Sequence, residues 1–338
     1  MALAKLKTPS SMSRPTPFDK SLRARNFEGR NSPMIKVLDL AYVRFGAPDL
    51  DAMERFAADF GLTLAAREGD VLYHRGTDAS SYCHVTEKGE PGFRAVAFEA
   101  ASLADLETAS KIDGASAVGE IDAPGGGMCV RLTDPTGYTV EIVYGREQVS
   151  ALPVPTAAGV NRGSERLRLG AVHRPPKGPS SVKRLGHIVL KVADFQASRK
   201  WYQANFGFLS SDEIYLGSPD LVLSAFMRCD RGEAYTDHHS LALAQLGEPG
   251  FEHAAFEVED IDSLMTGHDH LSQAEYTHNA GIGRHVLGSQ IFDYWQDPWG
   301  HTVEHFTDGD LLNASADTEM STPEIALGSL WGKAPSPV

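Results

Sequence analysis

The chain has 338 residues, of which 42% are apolar and 22% charged, with a net charge of −14; this is room for two or more ordinary domains and the balance of a folded, water-soluble protein. The negative charge excludes a broad nucleic-acid-binding face, and no apolar run approaches the ~20 residues of a membrane-spanning helix. Three scattered cysteines (Cys83, Cys129 and Cys229), with no CxxC, build neither a disulfide scaffold nor a zinc ribbon, and they fit a reducing, cytoplasmic setting.

In chain order, residues 1–35 carry seven Lys/Arg against two acids and no apolar periodicity. They are expected to form a basic arm, without the apolar core of a secretory signal. KVLDLAYVRF (36–45) alternates apolar and polar side chains and predicts a strand, and DLDAMERFAADFG (49–61) predicts a helix. FRAVAFEA (93–100) predicts a second strand, followed by a helix near 103–110, with short strands after each helix. Residues 146–184 hold eight Lys/Arg against two acids with several Pro and Gly, the composition of a linker. The pattern then restarts: RLGHIVLKV (184–192), a helix over 195–205, FEHAAFEVED (251–260) and a helix over 261–271. From Thr307 to Val338 the chain is polar and acidic and is expected to be a tail.

The two blocks, 36–145 and 185–306, repeat each other. GEPGF occurs at 89–93 and at 247–251, DLDAMERFAADFG matches DFQASRKWYQANFG (194–207), and LTDPTGYTVEI (132–142) matches WQDPWGHTVEH (295–305). Each block is itself doubled, so four β-α-β-β-β units are expected. Three short strands after each helix favour mostly antiparallel pairing over a parallel dinucleotide-binding sheet. The expected fold is therefore α+β: two tandem domains, each of paired βαβββ modules.

Superposing the repeats separates them chemically. His187, His253 and Glu304 of the second block stand where the first has Tyr42, Ala95 and Glu141. Two histidines and one carboxylate on separate strands are the ligand set of a facial triad on a mononuclear non-haem metal, with three adjacent coordination positions open. The first block lacks both nitrogens and is expected to be metal-free. The pair His268 and His270 is two residues apart on a helix, so it points in different directions and reads as a solvated helix end. Strand alternation would send His238 to the face opposite His239. Trp295 and Trp299 suit either a pocket wall or the core.

LGHIVLKV (185–192), DHHSLALA (237–244), FEHAAFEV (251–258) and GRHVLGSQIFDYWQDPWGHTVEHF (283–306) together resemble the type I extradiol catechol dioxygenases, a branch of the vicinal-oxygen-chelate superfamily that includes glyoxalases and bleomycin-resistance proteins. The resemblance covers roughly 36–310 and implies iron in the second domain alone, on His187, His253 and Glu304, with Mn(II) as the alternative to Fe(II). It further implies His239 as the acid/base near O2, and Tyr294 and His285 beside a substrate hydroxyl. The implied reaction inserts both atoms of O2 into an aromatic diol next to its two hydroxyls, opening the ring to a semialdehyde-type product. A homo-oligomer is expected, as are no nucleic-acid and no membrane partners. Ala280 stands where relatives that bind ring-acetate catechols carry an arginine, which disfavours a carboxylate-bearing substrate unless Arg284 substitutes. Two alternatives from other classes remain: a metal-dependent glyoxalase-like isomerase or lyase, and a non-catalytic small-molecule-binding protein.

Overall fold

A computed structural model describes residues 35–155 and 159–333; the basic arm read from residues 1–35 lies, but for Ile35, outside the described residues. The first half contributes β1 (Val37–Ala47), α1 (Leu50–Phe60), β2 (Thr63–Glu68), β3 (Val71–Arg75), β4 (His84–Lys88), β5 (Gly92–Ala100), α2 (Leu103–Ala109), β6 (Gly119–Glu120), β7 (Met128–Thr133) and β8 (Thr139–Tyr144). The second contributes β9 (Val182–Lys191), α3 (Phe195–Phe206), β10 (Leu209–Tyr215), β11 (Val222–Arg228), β12 (Thr236–Asp237), β13 (Leu241–Ala244), β14 (Gly250–Val258), α4 (Ile261–Gln273), β15 (His278–His285), β16 (Ile291–Gln296) and β17 (Thr302–Thr307). β18 (Leu311–Leu312), β19 (Glu319–Ser321), α5 (Pro323–Ala326) and β20 (Ser329–Gly332) follow.

Local chemistry starts and stops the repeated helices. The Asp49 carboxylate accepts the amides of Asp51 and Ala52 at the start of α1, and Asp194 accepts that of Ala197 at the start of α3. Such caps satisfy N–H groups that lack a partner within the helix. Gly61 (φ 104°) and Gly207 (φ 71°) end the two helices in the left-handed conformation that side chains disfavour. The repeated D-P-x-G turn has an equally local cause. Asp134 Oδ1 accepts the amides of Thr136, Gly137 and Tyr138, and Asp297 Oδ1 those of Trp299 and His301. Each turn feeds a strand that carries a buried glutamate, Glu141 or Glu304.

The first eight strands form one sheet in the order β2-β3-β4-β1-β5-β8-β7-β6, and ten of the later strands form a second, β19-β10-β11-β13-β9-β14-β17-β16-β15-β20. Each centre is the same: two first strands run antiparallel (β1 with β5, β9 with β14), and each pairs parallel with the last strand of its own module or, for β5 and β14, with β8 and β17. The α+β expectation of paired βαβββ modules is met. One apolar core runs through both sheets. Phe45 meets Phe251, Phe56 meets Tyr276, and Phe60 stacks on His305, whose Nε2 donates to the Phe60 carbonyl.

The segment after Thr307 differs from the tail expected of it. β19 pairs with β10, β20 with β15, and β18 with β12. Edge strands recruit partners through backbone amides and carbonyls, so a polar sequence without apolar periodicity can close a sheet.

Candidate metal centre and active site

His187 lies on β9, His253 on β14 and Glu304 on β17, far apart in sequence and adjacent in register. Ala255 on β14 pairs with His187 on one side and with Glu304 on the other. His253, two residues earlier, shares that face of the strand. The small Ala255 leaves the space over which the three side chains converge. His187 Nε2 is 3.1 Å from Glu304 Oε2, His253 Nε2 is 3.3 Å from the same oxygen, and the two imidazole nitrogens are 3.4 Å apart.

These separations test whether the residues suit a metal. Adjacent corners of an octahedron with bonds of about 2.1 Å are roughly 3 Å apart, so the donors are spaced as one face of such an octahedron. The remaining nitrogen of His253, Nδ1, is bonded to the Glu252 carboxylate, the outer-shell contact that fixes a ligating imidazole's tautomer. Electrostatics agrees. Burial opposes charging of His253, yet the Glu252 and Glu304 carboxylates outweigh it and push its pKa up to about 10. Burial likewise favours a neutral Glu304, but His187, His253 and His285 hold it well below the usual carboxylate range. Glu304 Oε1 is buried without a hydrogen bond. The donor set thus fits a divalent cation.

The other candidate residues surround this point. The His239 ring centre is 4.2 Å from that of His187, and burial together with His187 and His238 holds its pKa well below the ordinary imidazole value. Tyr294 is the cross-strand neighbour of Glu304 on β16. Its hydroxyl is 3.0 Å from His285 Nε2, and its ring packs edge-on to His253. Burial and the nearby Glu304 and Glu252 push the Tyr294 pKa well above the usual phenol value. His285 stacks on Phe292 and its Nε2 lies 3.8 Å from Glu304 Oε1. All six residues named from the sequence are therefore brought together.

Several neighbours resolve differently from the sequence reading. His268 and His270 do diverge, but both are half-buried and paired: His268 with Asp293, His270 with Asp59 of α1. Asp293 faces away from the centre, one residue from Tyr294, and accepts hydrogen bonds from Trp295 Nε1 and His278 Nε2 as well. Trp295 is thus a core residue. His238 does not turn away from the site. The segment 238–240 precedes β13 and is not regular strand, so alternation fails there and His238 Nδ1 comes within 3.1 Å of His239 Nδ1. Sequence reasoning also passed over Glu252 and Asp212. For Glu252 a signal existed, a carboxylate directly preceding a ligand candidate; Asp212 carried none, being distant in sequence from every histidine it serves.

One flank of the centre is apolar. Ala280, Phe292 and Tyr294 form a small buried cluster beside the centre. Arg284 does not fill the role open to it: its guanidinium donates to the Ser289 carbonyl and pairs with Asp308.

Comparison with known proteins gives this geometry a family. Residues 184–305 match the Glyoxalase/Bleomycin resistance protein/Dioxygenase superfamily. The chain is 30% identical over 284 residues to metapyrocatechase 2 of Cupriavidus necator, covering 83% of this chain and 84% of the relative. It is 26% identical over 322 residues to an iron-dependent extradiol dioxygenase of Rhodococcus jostii (strain RHA1), covering 88% and 97%. Among solved structures, the Mn(II)-bound glyoxalase from Novosphingobium aromaticivorans shares the fold with a TM-score of 0.73 at 21% identity, over 90% of this chain and 96% of that one. No helix among the described residues is long and apolar enough to cross a membrane. The chain belongs to the extradiol ring-cleaving catechol dioxygenases of the vicinal-oxygen-chelate superfamily.

Proposed function

We propose that this dioxygenase works with Fe(II) held by His187, His253 and Glu304, and that it cleaves a catechol bearing an apolar substituent. The observation that carries the reading is the convergence of two imidazole nitrogens and one carboxylate oxygen within 3.1–3.4 Å of one another. A divalent ion would displace the proton that Glu252 and Glu304 otherwise hold on His253, and two neutral imidazoles with one carboxylate leave it a net charge of +1. Bound there, Fe(II) would acidify a chelating diol and hold it beside O2 at the remaining open positions. The block 36–145 serves as the metal-free copy and the block from 185 onward as the catalytic one.

The protein's own residues then manage protons and orientation. His239 is kept neutral by its buried surroundings, so it can accept a hydroxyl proton as the diol binds and give a proton back later in the reaction. Tyr294 stays a phenol and donates to the substrate oxygen nearest it, while His285 holds the Tyr294 hydroxyl at 3.0 Å. Ala280 and Phe292 offer the ring an apolar wall. With Arg284 committed to Asp308, no guanidinium of that strand greets a substrate carboxylate, and burying one unpaired would be costly.

Anaerobic reconstitution with Fe(II), followed by a panel of catechols and then O2, tests this reading. The expected result is O2 consumption and a yellow ring-opened product from 3-alkyl or 3-aryl catechols, with poor turnover of ring-acetate catechols. One iron per chain with no O2 uptake on any diol would overturn it, and preference for the ring-acetate substrate would overturn the pocket assignment.

A further inference from the structure

Behind His239 lies a buried polar chain that the proton chemistry above does not use. Asp212 on β10, His238 and His239 are each at most 5% exposed. Asp212 Oδ2 is 2.7 Å from His238 Nε2, and His238 Nδ1 is 3.1 Å from His239 Nδ1. The His238 main chain is fixed on both sides: its amide donates to the Asp310 carbonyl, and its carbonyl accepts from the Ser211 hydroxyl, which itself accepts from Arg228. Gly288 approaches the ring so closely that a Cβ there would fall 3.0 Å from His238 Nδ1. The polar segment after Thr307 completes the enclosure. Glu319 of β19 pairs with Asp212 in the sheet, and the Ala316 carbonyl accepts from Arg228.

We propose that Asp212 and His238 are positioning residues that set the tautomer of His239, so that its Nε2 meets the substrate as a bare lone pair. For a neutral His238 the chemistry of the donors sets this direction. A carboxylate only accepts, so His238 Nε2 carries the hydrogen. In the neutral ring His238 Nδ1 is then an acceptor, and a 3.1 Å contact between two nitrogens requires a hydrogen on one of them, which falls to His239 Nδ1. The His239 Nε2 that remains carries no proton, and no protein hydrogen bond claims it among the described residues. That is the state a base needs. The inference rests on the reading of His239 as the acid/base residue. It adds that the protonation state is imposed from behind, by a partner on β10, rather than left to the substrate.

Neutron diffraction of the Fe(II)-loaded enzyme reads the tautomer without any variant. Deuterons on His238 Nε2 and His239 Nδ1, with His239 Nε2 bare, are the expected result; a deuteron on His239 Nε2 with Nδ1 bare overturns the proposal. Kinetics gives a second readout. His238→Leu is expected to lower kcat 10- to 100-fold, the usual cost of an outer-shell loss, with iron content and catechol KM within twofold of the parent. His238→Asn places an amide oxygen near the lost Nδ1 and is expected to recover kcat to within about fivefold. Unchanged kcat in His238→Leu, or no recovery in His238→Asn, counts against the proposal. His239→Ala separates the two levels. If it retains full kcat, the acid/base reading itself falls; if it loses activity while His238→Leu does not, only the positioning role falls.

Discussion

Glu141 in the first sheet and Glu304 in the second occupy the same place, and the two sheets treat them in opposite ways. Ala97 pairs with Tyr42 and Glu141 as Ala255 pairs with His187 and Glu304. In the first copy the carboxylate accepts from the Tyr42 hydroxyl at 2.7 Å, Arg44 at 3.0 Å and Arg131 at 2.8 Å. Arg131 stands where the second copy has Tyr294, and Arg44 where it has Val189. Two permanent cations therefore neutralise Glu141 from within the chain. Around Glu304 the only basic groups among the described residues are imidazoles, whose donor atoms converge with its own. A buried carboxylate needs a counter-charge; the first copy carries that charge in side chains, and under the proposed assignment the second would receive it as an ion.

The sharpest break of this contrast is in the second copy. His253→Ala, or Glu304→Ala, is expected to abolish metal retention and lower ring cleavage by roughly 10³-fold or more, read as metal per chain and O2 uptake. Full metal content in either variant would remove the triad assignment. Glu141→Gln in the first copy should leave metal content and kcat unchanged. It strips Arg44 and Arg131 of their shared partner and is expected to destabilise the fold by about 1–3 kcal/mol, measured by chemical denaturation; the figure is kept low because Arg131 is largely solvent-exposed.

A third comparison uses pH. Burial lowers the His74 pKa to about 4, and burial with neighbouring His74 and His301 lowers that of His84 to about 3. Both rings are neutral in the folded chain and protonate near pH 6.5 once unfolded. Their contribution is complete above that pH and is lost as pH falls towards 4, at about 1.4 kcal/mol per pH unit for each ring. His84→Leu should reduce the slope of stability against pH in that window by one proton, and an unaltered slope would show that His84 does not carry it. The smallest expected effect is also informative. Tyr42→His combined with Ala95→His restores the missing nitrogens but leaves Arg44 and Arg131 in place, so metal per chain should stay at the parent value. A second bound metal ion would show that the missing ligands alone, and not the guanidiniums, keep the first copy empty.

Much of this was legible in the residues because it repeats. The capping aspartates, the D-P-x-G turns and the alternating strands are local patterns, and their recurrence at matched spacing exposed the modules. Comparison of one copy with the other then singled out His187, His253 and Glu304 without reference to distance in space. Three things were not legible. His238 lies in an irregular segment, so the period-two rule misplaced it. Glu252 sits beside its partner in sequence, but its role depends on which imidazole nitrogen faces the metal position. The chain after Thr307 has no apolar signal because its strands are held by backbone hydrogen bonds at sheet edges.

By itself the sequence determined the doubled α+β architecture, the imbalance of histidine between the copies and the six residues around the centre. The architecture and the set His187, His253 and Glu304 follow from short-range patterns or from the alignment of the chain with itself, whereas His239, Tyr294 and His285 were implied by the resemblance to the extradiol dioxygenases. The tertiary structure alone decided the 3.1–3.4 Å convergence of the donors, the neutralisation of Glu141 by two arginines, and the contact of Asp212 with His238. The physical reason is common to all three. Charge compensation and hydrogen-bond direction are set by atoms within a few ångströms of one another, and residues 10 to 117 positions apart in the chain reach that range only when the strands are in register.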